Sequence, residues 1–186
     1  MTDQIVINQQ LVFELISSAH ADELYFLVEA NRGYLRQWLP WLDTTRSVAD
    51  IERFIATAET QYKNGAGPQF VICAGEDKKI CGVAGFHKID KVNRSGAIGY
   101  WLAEDYQGRG FIMAACRVLL KLGFADYQLN KIEIRCAVGN HKSRAIPERL
   151  GFKFEAKLRD SEWLYDHYVD HAVYSLLRGE YDADNA

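Results

Sequence analysis

Apolar and polar positions change period along the chain, and the changes mark out the elements. Leu11–Ile16 is rich in β-branched and aromatic residues and predicts a first strand. Ser17 and Ser18 offer N-caps for a helix over about Ala19–Ala30, with Leu24, Leu27 and Val28 on one face. Asn31–Trp41 is short and aromatic, and Gly33 and Pro40 interrupt it. The S-x-x-D pattern at Ser47–Asp50 has the form of a capping box. It opens a helix with Ile51, Phe54, Ile55, Ala58 and Tyr62 apolar, which Asn64–Pro68 ends.

Runs suited to strands follow. Gln69–Ala74 and Ile80–His87 flank Gly75–Lys79 as a hairpin, and Ala97–Leu102 follows the turn Asn93–Gly96 as a third strand. A helix is predicted from about Phe111 to Tyr127, with Ala114, Ala115, Val118, Leu119, Leu122 and Phe124 apolar. Lys131–Val138 reads as a strand in which Ile132, Ile134 and Cys136 alternate with charged residues. His141–Leu150 reads as a short helix, with Gly151 at C′ and Pro147 near the start, where a missing N–H costs least. Phe152–Leu158 and Tyr168–Leu177 are the final strands, joined by an acidic, aromatic segment. The order predicts one mixed α/β domain over residues 1–186, mostly antiparallel, with one strand–helix–strand crossover in its middle.

Composition narrows the classes. The 186 residues suit one domain, and 48% hydrophobic content excludes a disordered chain. The net charge is -3 and no run of Lys or Arg exceeds two residues, which argues against nucleic acid as a direct ligand. Cys73, Cys81, Cys116 and Cys136 form no C-x-x-C pair and sit among apolar neighbours, so they read as buried, reduced thiols with no metal site. The N-terminus lacks the basic and apolar regions of a signal peptide, and no apolar stretch is long enough to span a membrane. The expected location is the cytoplasm, with no membrane partner.

The stretch Gly99–Met113 carries the chemistry. A strand ends, a loop bearing Gly108 and Gly110 turns, and a helix begins. The first turn of a helix presents unpaired N–H groups and partial positive charge, and glycines let the backbone approach a ligand, so this is a phosphate site. The G-x-x-x-x-G-K-[ST] P-loop is absent. In a dinucleotide fingerprint, the third glycine would fall where Met113 stands, and an acidic residue would end the next strand, which instead ends in Ala137-Val138. A glycine loop that merely turns the chain is the plainer alternative.

Gln107–Ile112 resembles the Q/R-x-x-G-x-G/A signature of the GNAT N-acetyltransferases, with Ile112 where that pattern has Gly or Ala. The departure is similar to the ribosomal-protein N-terminal acetyltransferase subgroup. Ile98–Leu102, Asn140–Ser143 and Glu148–Phe152 match further spaced motifs, in order, over almost the whole chain. The resemblance implies a mixed, mostly antiparallel central sheet of about seven strands flanked by helices. It implies acetyl-coenzyme A as cosubstrate, no metal, and direct transfer to an amine. The amides of Gln107, Gly108, Arg109, Gly110, Phe111 and Ile112 would hold the pyrophosphate. Backbone groups of Tyr100, Trp101 and Leu102 would meet the pantetheine arm, as would the Asn140 side chain.

Ser143 would protonate the departing thiolate, although Asn140 and Ser143 equally suit helix capping. Glu162 would act as general base, and Trp38 and Trp41, with Tyr34, would wall the acceptor pocket or simply staple two helices. Asp160, Glu162, Asp166 and Asp170 would suit a cationic acceptor. Among the histidines, His141 and His167 are tempting as acid–base groups but are not assigned that role, and His20 and His87 read as surface residues. An acetyl-cysteine route would need an activated thiolate, and Cys116 has no sequence-local base. The expected acceptor is a protein N-terminal α-amine, with a small amine or a non-catalytic coenzyme A-binding role as alternatives. Homodimers are common in the subgroup.

Overall fold

Helical spacing puts Leu24 and Val28 on one side of α1 (Ala21–Ala30) and Ile51, Ile55 and Ala58 on one side of α3 (Val48–Lys63). Between them lie a single turn, α2 (Arg32–Leu35), and a 3₁₀ turn at Pro40–Asp43. The strands are β1 (Gln4–Asn8), β2 (Leu11–Leu15), β3 (Gln69–Ala74), β4 (Lys79–Asp90), β5 (Ser95–Leu102), β6 (Lys131–Ala137), β7 (Lys153–Leu164) and β8 (His167–Leu177). Helices α4 (Phe111–Lys121), α5 (His141–Arg149) and α6 (Arg178–Asp184) complete the computed structural model, which describes residues 3–184. Hydrogen bonding orders the strands β1-β2-β3-β4-β5-β6-β8-β7. The β1–β2, β2–β3, β3–β4, β6–β8 and β7–β8 pairs are antiparallel and β5–β6 is parallel. The mixed, mostly antiparallel sheet is as expected, with eight strands.

The chain divides into two compact units. In the first, residues 1–85 and 100–115, the buried faces of α1 and α3 meet Val12, Ile16, Val71, Cys73, Ile80 and Val83. Burying each such side chain contributes about 1.5–3 kcal/mol, so this cluster outweighs any one hydrogen bond nearby. The α3 start departs from the simple capping box. Ser47 makes no side-chain cap; instead Asp50 accepts from the Arg46 amide at 2.9 Å and the Ser47 hydroxyl at 2.8 Å.

In the second unit, residues 86–99 and 116–186, Phe86, Phe124, Leu129, Ile132, Ile134, Tyr174 and Leu176 are buried. Tyr174 ties α5 to β8: its hydroxyl donates to Glu148 at 2.7 Å and accepts from Arg144 Nε at 2.9 Å. Gly151, at φ +79, occupies the position after α5 as predicted.

Four expectations are corrected. Pro147 lies in the last turn of α5 rather than near its start, so the ring removes a donor to the carbonyl four residues earlier. The helix expected to reach Tyr127 ends as α-helix at Lys121 and continues as a π-turn over Leu122–Asp126. The acidic segment is not a long connection: β7 and β8 run through it and turn only at Tyr165-Asp166, with Tyr165 at φ +63. Residues 159–164 are largely exposed, so they lack the apolar alternation that would have marked a strand. The strand β1 and the helix α6 have no counterpart in the sequence reading.

Candidate active site

The glycine loop is built on a latched base. Ala103 donates its amide to Cys81 O at 2.8 Å, and the Glu104 amide donates to Asn31 Oδ1 at 3.0 Å. A 3₁₀ turn, Glu104–Tyr106, brings the chain to Gln107, whose side chain bonds the Tyr34 hydroxyl. Burial nonetheless pushes the Tyr34 hydroxyl up from its ordinary pKa. From this base Gly108 (φ +72) and Gly110 (φ +78) carry the chain, exposed, into α4. Ala114 donates to Gly110 O, so the helix's first turn begins after Gly110. Among the described residues no protein acceptor takes the amides of Gly108, Arg109, Gly110, Phe111 or Ile112. No acidic side chain occupies the first turn of α4. Five open amides at the positive end of a helix form a nest for an anion.

Arg109 adds a cation beside that nest. Its guanidinium donates to Asp105 O at 2.9 Å and lies 5.2 Å from the centre of the Tyr106 ring. The Ile112 side chain is buried, so only its amide is available to a ligand. Phe111 is half-buried against Tyr106.

Strand β5 supplies a second element. Its parallel ladder with β6 pairs Ser95–Ala97 with Lys131–Glu133, and the strand runs on to Leu102 beyond that register. The Tyr100, Trp101 and Leu102 side chains are half-buried, and Trp101 packs on the core of the first unit. An amide-bearing arm can pair with such backbone while the side chains remain in the fold. Trp41 stands 6.2 Å from Trp101, ring centre to ring centre, so the structure brings these two together. Trp38 is half-buried in the same irregular segment. Arg32, overlooked in the sequence, holds that segment in place. Its Nη1 donates to Leu42 O at 2.5 Å and its Nη2 to Thr45 O at 2.6 Å, while Glu29 accepts from the same guanidinium.

The remaining candidates belong to the second unit. Asn140 Oδ1 accepts from the Ser143 amide at 3.1 Å, so Asn140 does cap α5. The Ser143 side chain bonds Cys136, on β6. Burial pushes the Cys136 thiol up in pKa, and Cys73 and Cys81 are pushed up to about 12. Cys116 is fully buried and raised for the same reason, which leaves no ready thiolate for an acetyl-cysteine.

Glu162 stands on β7, and its Oε2 lies 3.2 Å from His171 Nε2 on β8. His171 is absent from the sequence candidates; strand alternation along His167–Leu177 would have put it on the Val169 face, which β7 shares through Glu162. Asp170 accepts from Lys157 Nζ and from the Asp160 amide, each at 2.9 Å, and Asp166 pairs with His167 at 2.7 Å. The Lys157 ammonium bonded to Asp170 holds its carboxyl below the usual range. His20 pairs with Glu14 at 3.4 Å, and His141 is exposed.

Among the described residues no helix is long and apolar enough to cross a membrane, and no three His, Cys, Asp or Glu side chains form a group that could hold a metal ion.

Known proteins resemble this chain over most of its length. Residues 10–153 match the acetyltransferase (GNAT) domain family. The chain is 35% identical over 179 residues to YdaF of Bacillus subtilis, a ribosomal N-acetyltransferase candidate, covering 96% of this chain and 97% of that one. It is 30% identical over 177 residues to the ribosomal-protein-serine acetyltransferase of Escherichia coli, covering 95% and 98%. Among solved structures, the microcin C7 self-immunity acetyltransferase MccE, in complex with acetyl-CoA and AMP, superposes with a TM-score of 0.87 at 28% identity, covering 95% of this chain and 97% of that one. The ribosomal L7/L12 α-N-protein acetyltransferase RimL, in complex with coenzyme A, gives 0.88 at 25% identity, covering 94% and 97%.

Proposed function

Since the chain belongs to the GNAT acetyltransferase family and is an N-acetyltransferase, we propose that it moves acetyl from acetyl-coenzyme A to the α-amine of a protein N-terminus. The observation that carries this reading is the set of open amides from Gly108 to Ile112 at the start of α4. These amides, with Arg109, take the pyrophosphate; the backbone of Tyr100, Trp101 and Leu102 meets the pantetheine arm; and the family resemblance adds Asn140, the cap of α5, as a further pantetheine contact. Trp41 and Trp38 line the acceptor side. The names of the RimL and Escherichia coli relatives support a ribosomal protein as the acceptor.

The acceptor chemistry follows from proton affinity. An α-ammonium ordinarily titrates at about 7.7–8.0 and a lysine at about 10.4. At pH 7.5, freeing lysine costs about 4 kcal/mol and freeing an α-amine well under about 1 kcal/mol. The weakly basic Glu162 site on β7 therefore suits an α-amine. The neutral amine attacks the thioester carbonyl, a C–N bond forms, and the C–S bond breaks. Ser143 gives its hydroxyl proton to the leaving sulfur, and the proton shed by the new amide nitrogen restores that hydroxyl through solvent. A cytoplasmic, homodimeric protein fits the same reading.

The test is a mass measurement on candidate ribosomal-protein N-terminal peptides, with spermidine and free lysine beside them, while thiol release is followed. A gain of about 42 Da on the peptide α-amine is expected, since transfer replaces a proton with acetyl. Acetylation of the small amines alone would replace the acceptor in this reading. Tight acetyl-coenzyme A binding with no transfer to any acceptor would make the protein a binding module. In the same assay Ser143→Ala should lower kcat about 100-fold while the acetyl-coenzyme A KM stays within about twofold. Wild-type kcat accompanied by a lower Tm would reduce Ser143 to a structural part of the α5 start.

A further inference from the structure

The β7–β8 hairpin contains a carboxylate–imidazole pair whose geometry is set by a bulge. Between Leu158, which pairs with His171, and Glu162, which pairs with Val169, β7 advances four residues while β8 advances two. The two extra residues make the strand bulge, with Asp160 at φ +47. Asp170 pins the bulge by accepting from the Asp160 amide and from Lys157. The result sets Glu162 Oε2 at 3.2 Å from His171 Nε2. The Glu162 and His171 side chains are 32% and 17% exposed, so the pair is sheltered yet reachable.

A carboxylate facing Nε2 favours the tautomer with its proton on Nε2, because an N–H donates to the oxygen and a bare nitrogen would repel it. That leaves the lone pair on Nδ1. Among the described residues no protein group pairs with His171 Nδ1. A base oriented by a third group is the arrangement that activates a reacting proton carrier. An imidazole ordinarily titrates near 6.5 and a carboxylate near 4.3, so an imidazole accepts a proton from an α-ammonium against a gap smaller by about 3 kcal/mol.

We propose that His171, oriented by Glu162, is the base that takes the proton from the acceptor amine. This rests on the Glu162 site serving acetyl transfer, and it changes how that carboxylate acts. His171 Nδ1 receives one proton from the ammonium, and the imidazolium so formed is stabilised by the Glu162 carboxylate. The imidazolium passes that proton to solvent, the freed nitrogen lone pair forms the C–N bond as the C–S bond breaks, the nitrogen then gives its second proton to His171, and Ser143 protonates the departing sulfur. Glu162 is then a positioning residue and His171 the catalytic one.

Substitutions separate the two roles, because glutamine at 162 still accepts from Nε2 whereas glutamine at 171 cannot take the proton. His171→Gln should lower kcat/KM for the acceptor about 100-fold, with the acetyl-coenzyme A KM within about twofold. His171→Ala should regain activity when imidazole is added, which a purely structural role would not produce. Glu162→Gln should lose only about tenfold, and the double variant should be no slower than His171→Gln alone. His167→Gln, at the hairpin turn, should match wild type and serve as the control. A larger loss in Glu162→Gln than in His171→Gln, or losses that multiply in the double variant, would make Glu162 the direct base and overturn the role of His171. Wild-type turnover in both single variants would remove the pair from catalysis and with it the Glu162 site. Equal Tm values across the set exclude misfolding as the cause.

Discussion

Gly110→Asp should weaken acetyl-coenzyme A binding by about 100-fold, measured as Kd by calorimetry and as KM in the transfer assay. The expected size comes from electrostatics. One carboxylate about 5 Å from one phosphate charge costs about 3 kcal/mol at an effective dielectric of 20, and solvent at this exposed loop trims that toward about 2–3 kcal/mol. Each 1.4 kcal/mol is about tenfold in affinity. A Cβ at Gly110 would meet nothing within 4 Å, so the new side chain would enter open space rather than displace protein. Its only other penalty is backbone strain at φ +78, on the order of 1 kcal/mol. Gly110→Ala isolates that strain and should weaken binding no more than about tenfold. Unchanged affinity in the aspartate variant would take the loop out of the cosubstrate site.

The second large effect concerns stability. Gly82→Val should destabilise the protein by about 3 kcal/mol or more, read from the midpoint of urea unfolding at constant m. A Cβ at Gly82 would stand 2.3 Å from Trp101 O and 3.0 Å from Leu102 Cα. These are backbone atoms of β5, so no rotamer change relieves the clash. The strand must move, and it is the strand proposed to meet pantetheine. Acetyl-coenzyme A KM should therefore rise in any folded fraction. A midpoint within experimental error of wild type would mean that β5 yields freely there and is no rigid platform.

Legibility from the sequence varied with the range of the interaction. The Gly108–Gly110 loop, the α4 start and the Gly151 terminator were readable because each depends on backbone conformation set within a few residues. Cys116 was readable as a buried thiol because its neighbours are apolar. The segment 159–167 was not readable as strand, since β7 there is exposed and shows no alternation; pairing with β8 holds it. Pro147 was misplaced although the bounds of α5 were legible: the Asn140 cap and the Gly151 turn fix them, and within them the proline falls in the last turn.

By itself the sequence determined the order of the principal elements, the glycine loop that leads into α4 and the family the chain resembles, because periodicity, caps and glycine positions act over short stretches of chain. Only the tertiary structure decided which side chains meet. It put Gln107 on Tyr34, Trp41 on Trp101, Tyr174 between Arg144 and Glu148, and His171 beside Glu162. These partners are distant in sequence, and strand register, a bulge and core packing choose among them. No local propensity encodes that choice.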